Sequence, residues 1–309
     1  MAHLQSQFIR FDVAIKLKYY GESAELREKR DRVLTRLQNN LGQRFRTFDQ
    51  GSYAMKTGIK PVDLDYDIDV GVALDLSGQP DPVAVKTRVY NALQDHTARV
   101  EFRKSCITVY YQQGGEPKFH VDVAVYWAHQ NGLYLAVGKQ YAAASERTWQ
   151  QAAPERLVEI FNTKFTGDDG EQFRRVIRML KRWSAEQFPS QGAAAPRGIA
   201  LTACALQWFG PISQRKPNIY GTTTTEYNDL AALKGVVDFM LASFAYRLSA
   251  TLPVPPGSDL FSRMTDQQMG EFKDRLRRLQ GALQTAGTQG ESGACATLRN
   301  VLGNSFPAI

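Results

Sequence analysis

Four acids at alternate positions, Asp63, Asp65, Asp67 and Asp69, run without a break into the apolar stretch VGVAL. No other feature constrains the fold as tightly. On a strand, residues two apart share a face, so Asp67 and Asp69 project together while Ile68 and Val70 point the other way into a core. Acids on an edge strand are simply solvated, but a segment that continues as an apolar run belongs in the middle of a sheet. Two carboxylates side by side there repel each other and are costly to desolvate unless a cation neutralises them. The pattern therefore predicts a central strand within 64–76 carrying a divalent-metal site, with Asp63 and Asp65, next to Pro61, at its solvated end.

A two-metal site needs a third carboxylate from another element. Asp122 is the candidate, because FHVDVAVYW alternates Phe119, Val121, Val123 and Val125 with His120, Asp122, Ala124 and Tyr126, isolating one acid on a polar face. A strand lying beside that of Asp67 and Asp69 brings the three acids together. Hard oxygen ligands of this kind suit Mg²⁺, as two ions, with Mn²⁺ the alternative. His120 reads as a hydrogen-bonded packing residue rather than a ligand.

The rest of the chain divides by texture. Leu26, Val33, Leu34, Leu37 and Leu41 recur at helical steps, predicting a long amphipathic helix from Ser23 to Leu41. Short β-like runs follow at 45–50, 64–76, 100–112 and 118–127, with QGGEP as the hairpin turn between the last two and a crossing helix over Pro82–His96. Beyond Pro154 the pattern becomes helical and the strands are expected to stop. An α+β half over 1–153 and a helical half over 154–309 are expected, with the substrate cleft between them.

With 309 residues, 43% of them hydrophobic, the chain is globular rather than disordered or fibrous. MAHLQSQFIRFDVAIK lacks the apolar core of a signal peptide and no run is long enough to span a membrane, so a cytoplasmic protein is expected. Three widely spaced cysteines suit reduced, packed thiols. A net charge of +7 biases the surface toward anionic partners such as nucleotides, and equally describes a basic solubilising surface. Arg174, Arg178, Lys181 and Arg182 fall on one side of the segment EQFRRVIRMLKRWSAEQF, either as phosphate contacts or as a solvated face. Tyr220 in NIYGTTTTEY is either a base-stacking residue or a loop tyrosine. Arg99, Arg103 and Lys104 are either acceptor-phosphate contacts or a solvated rim.

A Gly-Ser turn, an Asp-hydrophobic-Asp strand and a later single Asp on a strand resemble the polymerase-β-like nucleotidyltransferase superfamily. GSYAMKTGIKPVDLDYDIDVGV, VDVAVYW and VIRMLKRW are similar to the bacterial cGAS/DncV-like nucleotidyltransferases (CD-NTases), nearest to the CdnC and CdnD groups. The likeness runs from LREKRDRVL to the terminal NSFP, although the interval from Ser52 to Asp67 is slightly longer than is general in the superfamily. It implies a bilobed enzyme that joins nucleotides from ATP, alone or with another NTP, into a cyclic oligonucleotide second messenger for anti-phage (CBASS) signalling.

The resemblance assigns Gln50, Gly51 and Ser52 to the donor triphosphate, Asp67 and Asp69 to both metals, and Asp122 to the catalytic metal and the attacking ribose hydroxyl. It places a triphosphate lysine at Lys181 and a phosphate-contacting hydroxyl at Thr202. It also implies a HORMA-type activator and an effector nuclease; a monomer is expected, with no membrane partner and with nucleic acid possible but not required. The residues themselves indicate metal-dependent nucleotidyl transfer; cyclisation comes from the resemblance alone. A linear oligoadenylate synthetase, an enzyme nucleotidylating RNA or protein, and a catalytically silent nucleic-acid-binding module remain the alternatives.

Overall fold

The computed structural model describes residues 4–18, 20–114, 116–130, 132–189, 194–217 and 222–309. Two helices, α1 (Gln5–Ile15) and α2 (Glu22–Asn40), precede strand β1 (Phe45–Asp49) and the one-turn helix α3 (Gly51–Ala54). Strand β2 (Tyr66–Asp75) leads through α4 (Pro82–Leu93) to β3 (Arg99–Phe102), β4 (Ile107–Gln113), β5 (Glu116–His129), β6 (Gly132–Val137) and β7 (Thr148–Ala152). Then come α5 (Pro154–Lys164), α6 (Gly167–Gln187), α7 (Gly198–Trp208), β8 (Ser213–Pro217), β9 (Thr223–Tyr227), α8 (Asp229–Ala242), α9 (Asp266–Ala286) and α10 (Glu291–Leu302).

Strands β1 to β7 form one mixed sheet in the order β1-β2-β5-β4-β3, with β6 on β5 and β7 on β6. The pair β2·β5 is parallel, and the other pairs are antiparallel. Parallel neighbours need a crossover, which α4, β3 and β4 supply. Asp81 caps α4 by accepting a hydrogen bond from the Ala84 N–H (2.7 Å), and Pro82 occupies the first turn, where its missing N–H costs nothing.

Period-two alternation sorts the central strands. Tyr66, Ile68, Val70, Val72 and Leu74 of β2 and Phe119, Val121, Val123 and Val125 of β5 share a buried cluster with Leu26, Val33 and Leu37 of α2 and Val85 and Val89 of α4. The opposite face carries the acids and then small residues. Gly71 is required there because a Cβ would fall 2.2 Å from Phe48 Cζ, so only glycine lets that ring lie across β2.

A second core joins α1 to the C-terminal helices: Phe8, Phe11 and Ile15 pack with Phe173, Val176, Leu180 and Trp183 of α6 and with residues of α7 to α10. Within it Asp12 and Arg178 form a bidentate ion pair (2.6 and 3.0 Å), their side chains only 4% and 5% exposed. Removing one partner of such a pair leaves an uncompensated buried charge, a loss of about 3–5 kcal/mol.

The architecture departs from the sequence reading in several places. Helix α1, for which no element is predicted above, packs in the helical layer through Phe8, Phe11 and Ile15. The run at 100–112 is two strands folded back at Arg103–Cys106, whose Arg103 N–H donates to the Cys106 carbonyl (2.9 Å). Strands do not stop at Pro154: β8 and β9 pair antiparallel. Most of that ribbon is exposed on both faces, so no apolar alternation announces it. The sequence pattern predicts neither strands β6 and β7 nor helices α1 and α10. Among the described residues no helix is long and apolar enough to cross a membrane.

Candidate active site

The parallel register of β2 and β5 sets Asp69 directly opposite Asp122 and Asp67 opposite His120. Asp67, Asp69 and Asp122 therefore share one face at the centre of the sheet. Burial lifts the Asp67 carboxyl above its ordinary pKa, reinforced by Asp122 and opposed by His120 and Lys181. Burial also lifts Asp69, well above the ordinary value, with Asp67 and Asp122 adding repulsion. Water still reaches Asp67 and part of Asp69. The desolvation is thus that of a crowded, wet crevice rather than a dry core. Asp122 accepts a hydrogen bond from the hydroxyl of Thr108, its cross-strand partner in β4·β5, which restrains the carboxylate.

Gly51 and Ser52 stand above these acids. Gly51 has φ +65°, and a Cβ there would lie 2.0 Å from Asp69 Oδ2, so the residue must be glycine for the turn to sit against the carboxylate. The Gln50 N–H donates to the Asp69 carbonyl (3.3 Å), tying the turn to β2. The Gln50 side chain accepts a hydrogen bond from the Tyr126 hydroxyl (2.8 Å). From the other side of the cleft, Lys181 on α6 donates to the carbonyl and hydroxyl of Thr57, both at 3.1 Å. Burial lowers its pKa to about 8, Arg178 lowers it further and Asp67 and Asp69 oppose the shift. The ammonium is still charged at neutral pH.

These side chains line one cavity of about 480 Å³ that holds Gly51, Ser52, Asp67, Asp69, Lys181 and Thr202 on its walls. Its apolar lining comes from two parts of the chain, Ile59, Pro61 and Val62 ahead of β2 and Phe188, Pro196 and Ile199 around the end of α6 and the start of α7. A flat heterocycle with a polyphosphate tail matches that combination of apolar lining and charged groups. Among the described residues no three His, Cys, Asp or Glu side chains are already gathered as a metal-binding group. The donor set nevertheless fits a hard cation: oxygen-only ligands on a shared face, crowded closely enough to repel one another.

Other sequence candidates fall elsewhere. Thr202 is on the cavity wall but 2% exposed, and its hydroxyl donates to the Gly198 carbonyl (2.9 Å). Arg178 and Arg182 are neither solvated nor free for phosphate: they donate to the Lys56 and Lys60 carbonyls. Arg174 donates to Asn162. Arg99 and Arg103 bond Glu101, and Arg103 also bonds Tyr110, forming a partly neutralised, still basic rim with Lys104 exposed beside it. Asp65 is partnered rather than purely solvated, 3.1 Å from His120 Nδ1, and Asp63 reaches the cavity rim. Tyr220 lies outside the described residues. Sequence reasoning missed Thr57, Thr108 and Asp12. Only Asp12 left a signal, a lone acid on the apolar stripe Phe8, Phe11, Ile15.

Residues 45–126, which contain all three acids, match the family model of the cyclic GMP-AMP synthase DncV-like nucleotidyltransferase domain. No curated protein sequence matches the chain. Among solved structures, the chain is similar to the Bradyrhizobium diazoefficiens CD-NTase CdnG in complex with GTP, at 15% identity and TM-score 0.74 over 98% of this chain and 96% of that one. It is similar to the Vibrio cholerae DncV cyclic AMP-GMP synthase at 16% identity and TM-score 0.75, covering 97% and 96%. The Escherichia coli MS115-1 CdnC, solved with a HORMA protein, follows at 14% identity and TM-score 0.72, covering 98% of each chain. Identities this low establish the fold and do not rank the chain among the groups. The fold match spans both lobes, and the family match falls on the strands that carry the acids. Residues 45–126 thus match the DncV-like nucleotidyltransferase domain, and over its length the chain shares the bilobed fold of the solved CdnG and DncV structures.

Proposed function

We propose that the protein is a Mg²⁺-dependent nucleotidyltransferase that joins nucleotides from ATP, alone or with another NTP, and closes the product into a cyclic oligonucleotide. The observation that carries this reading is the β2·β5 register, which aligns Asp69 with Asp122 and keeps Asp67 on the same face. Asp67 and Asp69 would hold two Mg²⁺ ions and Asp122 the catalytic one. Bound there, the metal supplies Lewis acidity to the attacking hydroxyl and charge neutralisation to the departing pyrophosphate.

The chain's own groups do the positioning. The Gly51–Ser52 turn would take the donor phosphates through backbone N–H groups and the serine hydroxyl, and Lys181 would meet the same phosphates from the helical side. Asp122, held by Thr108, would accept the proton of the attacking ribose hydroxyl. The apolar lining would pack against the base, which gives affinity with little discrimination. A HORMA-type partner is part of the proposal, supported by the fold likeness to CdnC, which was solved with one; the anti-phage role in the cytoplasm rests on the sequence resemblance alone.

Cyclisation is tested by incubating the protein with α-labelled ATP and Mg²⁺ and treating the product with phosphatase. A ring has no terminal phosphate and keeps its mobility, whereas a linear oligonucleotide is shortened by its triphosphate and sinks the cyclase reading. Lys181→Ala is expected to weaken ATP binding by about tenfold or more while leaving adenosine affinity unchanged, since lysine meets phosphate as a point charge and has no reason to touch the base. Equal losses for both ligands, measured by calorimetry, would show that Lys181 acts through folding or the base pocket instead.

A further inference from the structure

The basic side of α6 is spent on the loop that follows the Gly51–Ser52 turn. Arg178 donates to the Lys56 carbonyl (2.7 Å), Lys181 to the Thr57 carbonyl (3.1 Å) and Arg182 to the Lys60 carbonyl (2.9 Å). Thr57 differs from its neighbours in offering a second acceptor. Its hydroxyl lies 3.1 Å from Lys181 Nζ, and the residue is fully buried. Its backbone N–H donates to the Ser52 carbonyl at 2.9 Å. One residue thus bonds the serine of the turn on one side of the cleft and the lysine on the other.

An ammonium has three N–H donors and no acceptor. Two are taken by Thr57, so the orientation of the third is fixed by the same residue that fixes the serine turn. Lys181 lines the cavity together with Ser52, Asp67 and Asp69, which places that remaining donor beside the acids and the turn. A lysine without such anchors loses considerable rotamer freedom when it meets an anion, and prior anchoring removes part of that cost.

We propose that Thr57 is a positioning residue that aims Lys181 at the donor triphosphate and locks the lysine and the Ser52 turn into one unit. The assignment of Lys181 to the triphosphate rests on the nucleotidyltransferase reading above; the role of Thr57 rests on its own contacts.

Thr57→Val preserves shape and burial but removes the hydroxyl acceptor, Thr57→Ser keeps it, and Thr57→Ala is a second hydroxyl-free variant. The readouts are equilibrium affinities for a non-hydrolysable ATP analogue and for adenosine in Mg²⁺ buffer, with thermal melts to confirm folding. Thr57→Val and Thr57→Ala are expected to bind the analogue about tenfold more weakly with adenosine affinity unchanged, and Thr57→Ser to stay near wild type. Unchanged analogue affinity in the hydroxyl-free variants would overturn the role of Thr57. So would equal loss for both ligands, or failure of the folded serine variant to rescue. A wild-type protein that does not prefer the analogue over adenosine would overturn the triphosphate reading itself, and this proposal with it.

Discussion

Asp67→Asn and Asp69→Asn are each expected to abolish product formation while leaving the protein folded. A neutral amide contributes far less to holding Mg²⁺ than a carboxylate, and both acids lie on the sheet face that lines the cavity. The same substitutions should preserve or raise thermal stability when the metal is chelated. Burial and neighbouring acids hold the carboxyls of Asp67 and Asp69 above their ordinary pKa, so ionising them costs folding free energy. The sign follows directly. A pKa higher in the folded than in the unfolded state favours folding at acid pH, and that contribution is lost as pH rises through the raised value. Melts in EDTA should therefore show the asparagine variants gaining on wild type at pH 7 and the difference shrinking toward pH 4. Wild-type rates from the double variant would contradict the metal reading, and a large loss of metal-free stability would contradict the repulsion.

Asp122→Asn is expected to lose turnover by about 10³-fold while keeping ATP affinity within a few-fold. Asp122 faces Asp69 across the strand pair, whereas the groups assigned to the triphosphate, Ser52 and Lys181, line the cavity. Asparagine can still accept the Thr108 hydrogen bond, so the fold of β4·β5 should survive and only the charge and basicity disappear. A group needed only while the new bond forms lowers kcat without weakening ground-state binding. Single-turnover kinetics together with ATP binding separate the two effects, and parallel losses would make Asp122 a binding residue. Asp65→Asn, which disturbs only the contact with His120, should do far less.

The site was legible where one face of a strand is buried and the other polar. Strict alternation in β2 and β5 fixed which acids share a face, because a slip of one residue would have put Ile68 and Val121 into the cleft. That β2 and β5 are adjacent could not be read from alternation, which is silent on pairing. The basic stretch of α6 illustrates the other limit. Its spacing placed Arg178, Lys181 and Arg182 on one side, but their acceptors are backbone carbonyls at 56–60, more than a hundred residues earlier, which no pattern encodes. Asp12 left half a signal: an acid on the stripe of Phe8 and Phe11 demands a buried partner, yet Arg178 is 166 residues away. The β8–β9 ribbon left none, since a strand pair largely exposed on both faces has no reason to alternate.

The account turns on metal-dependent joining of nucleotides, and its most direct measurement is mass spectrometry of the products after wild-type protein meets the four NTPs and Mg²⁺. The account predicts consumption of ATP, release of pyrophosphate and a product whose mass is a whole number of nucleoside monophosphates each less one water, all lost with EDTA or in Asp69→Asn. Intact NTPs under every combination of nucleotide and divalent cation, even with a HORMA-type partner present, would contradict it.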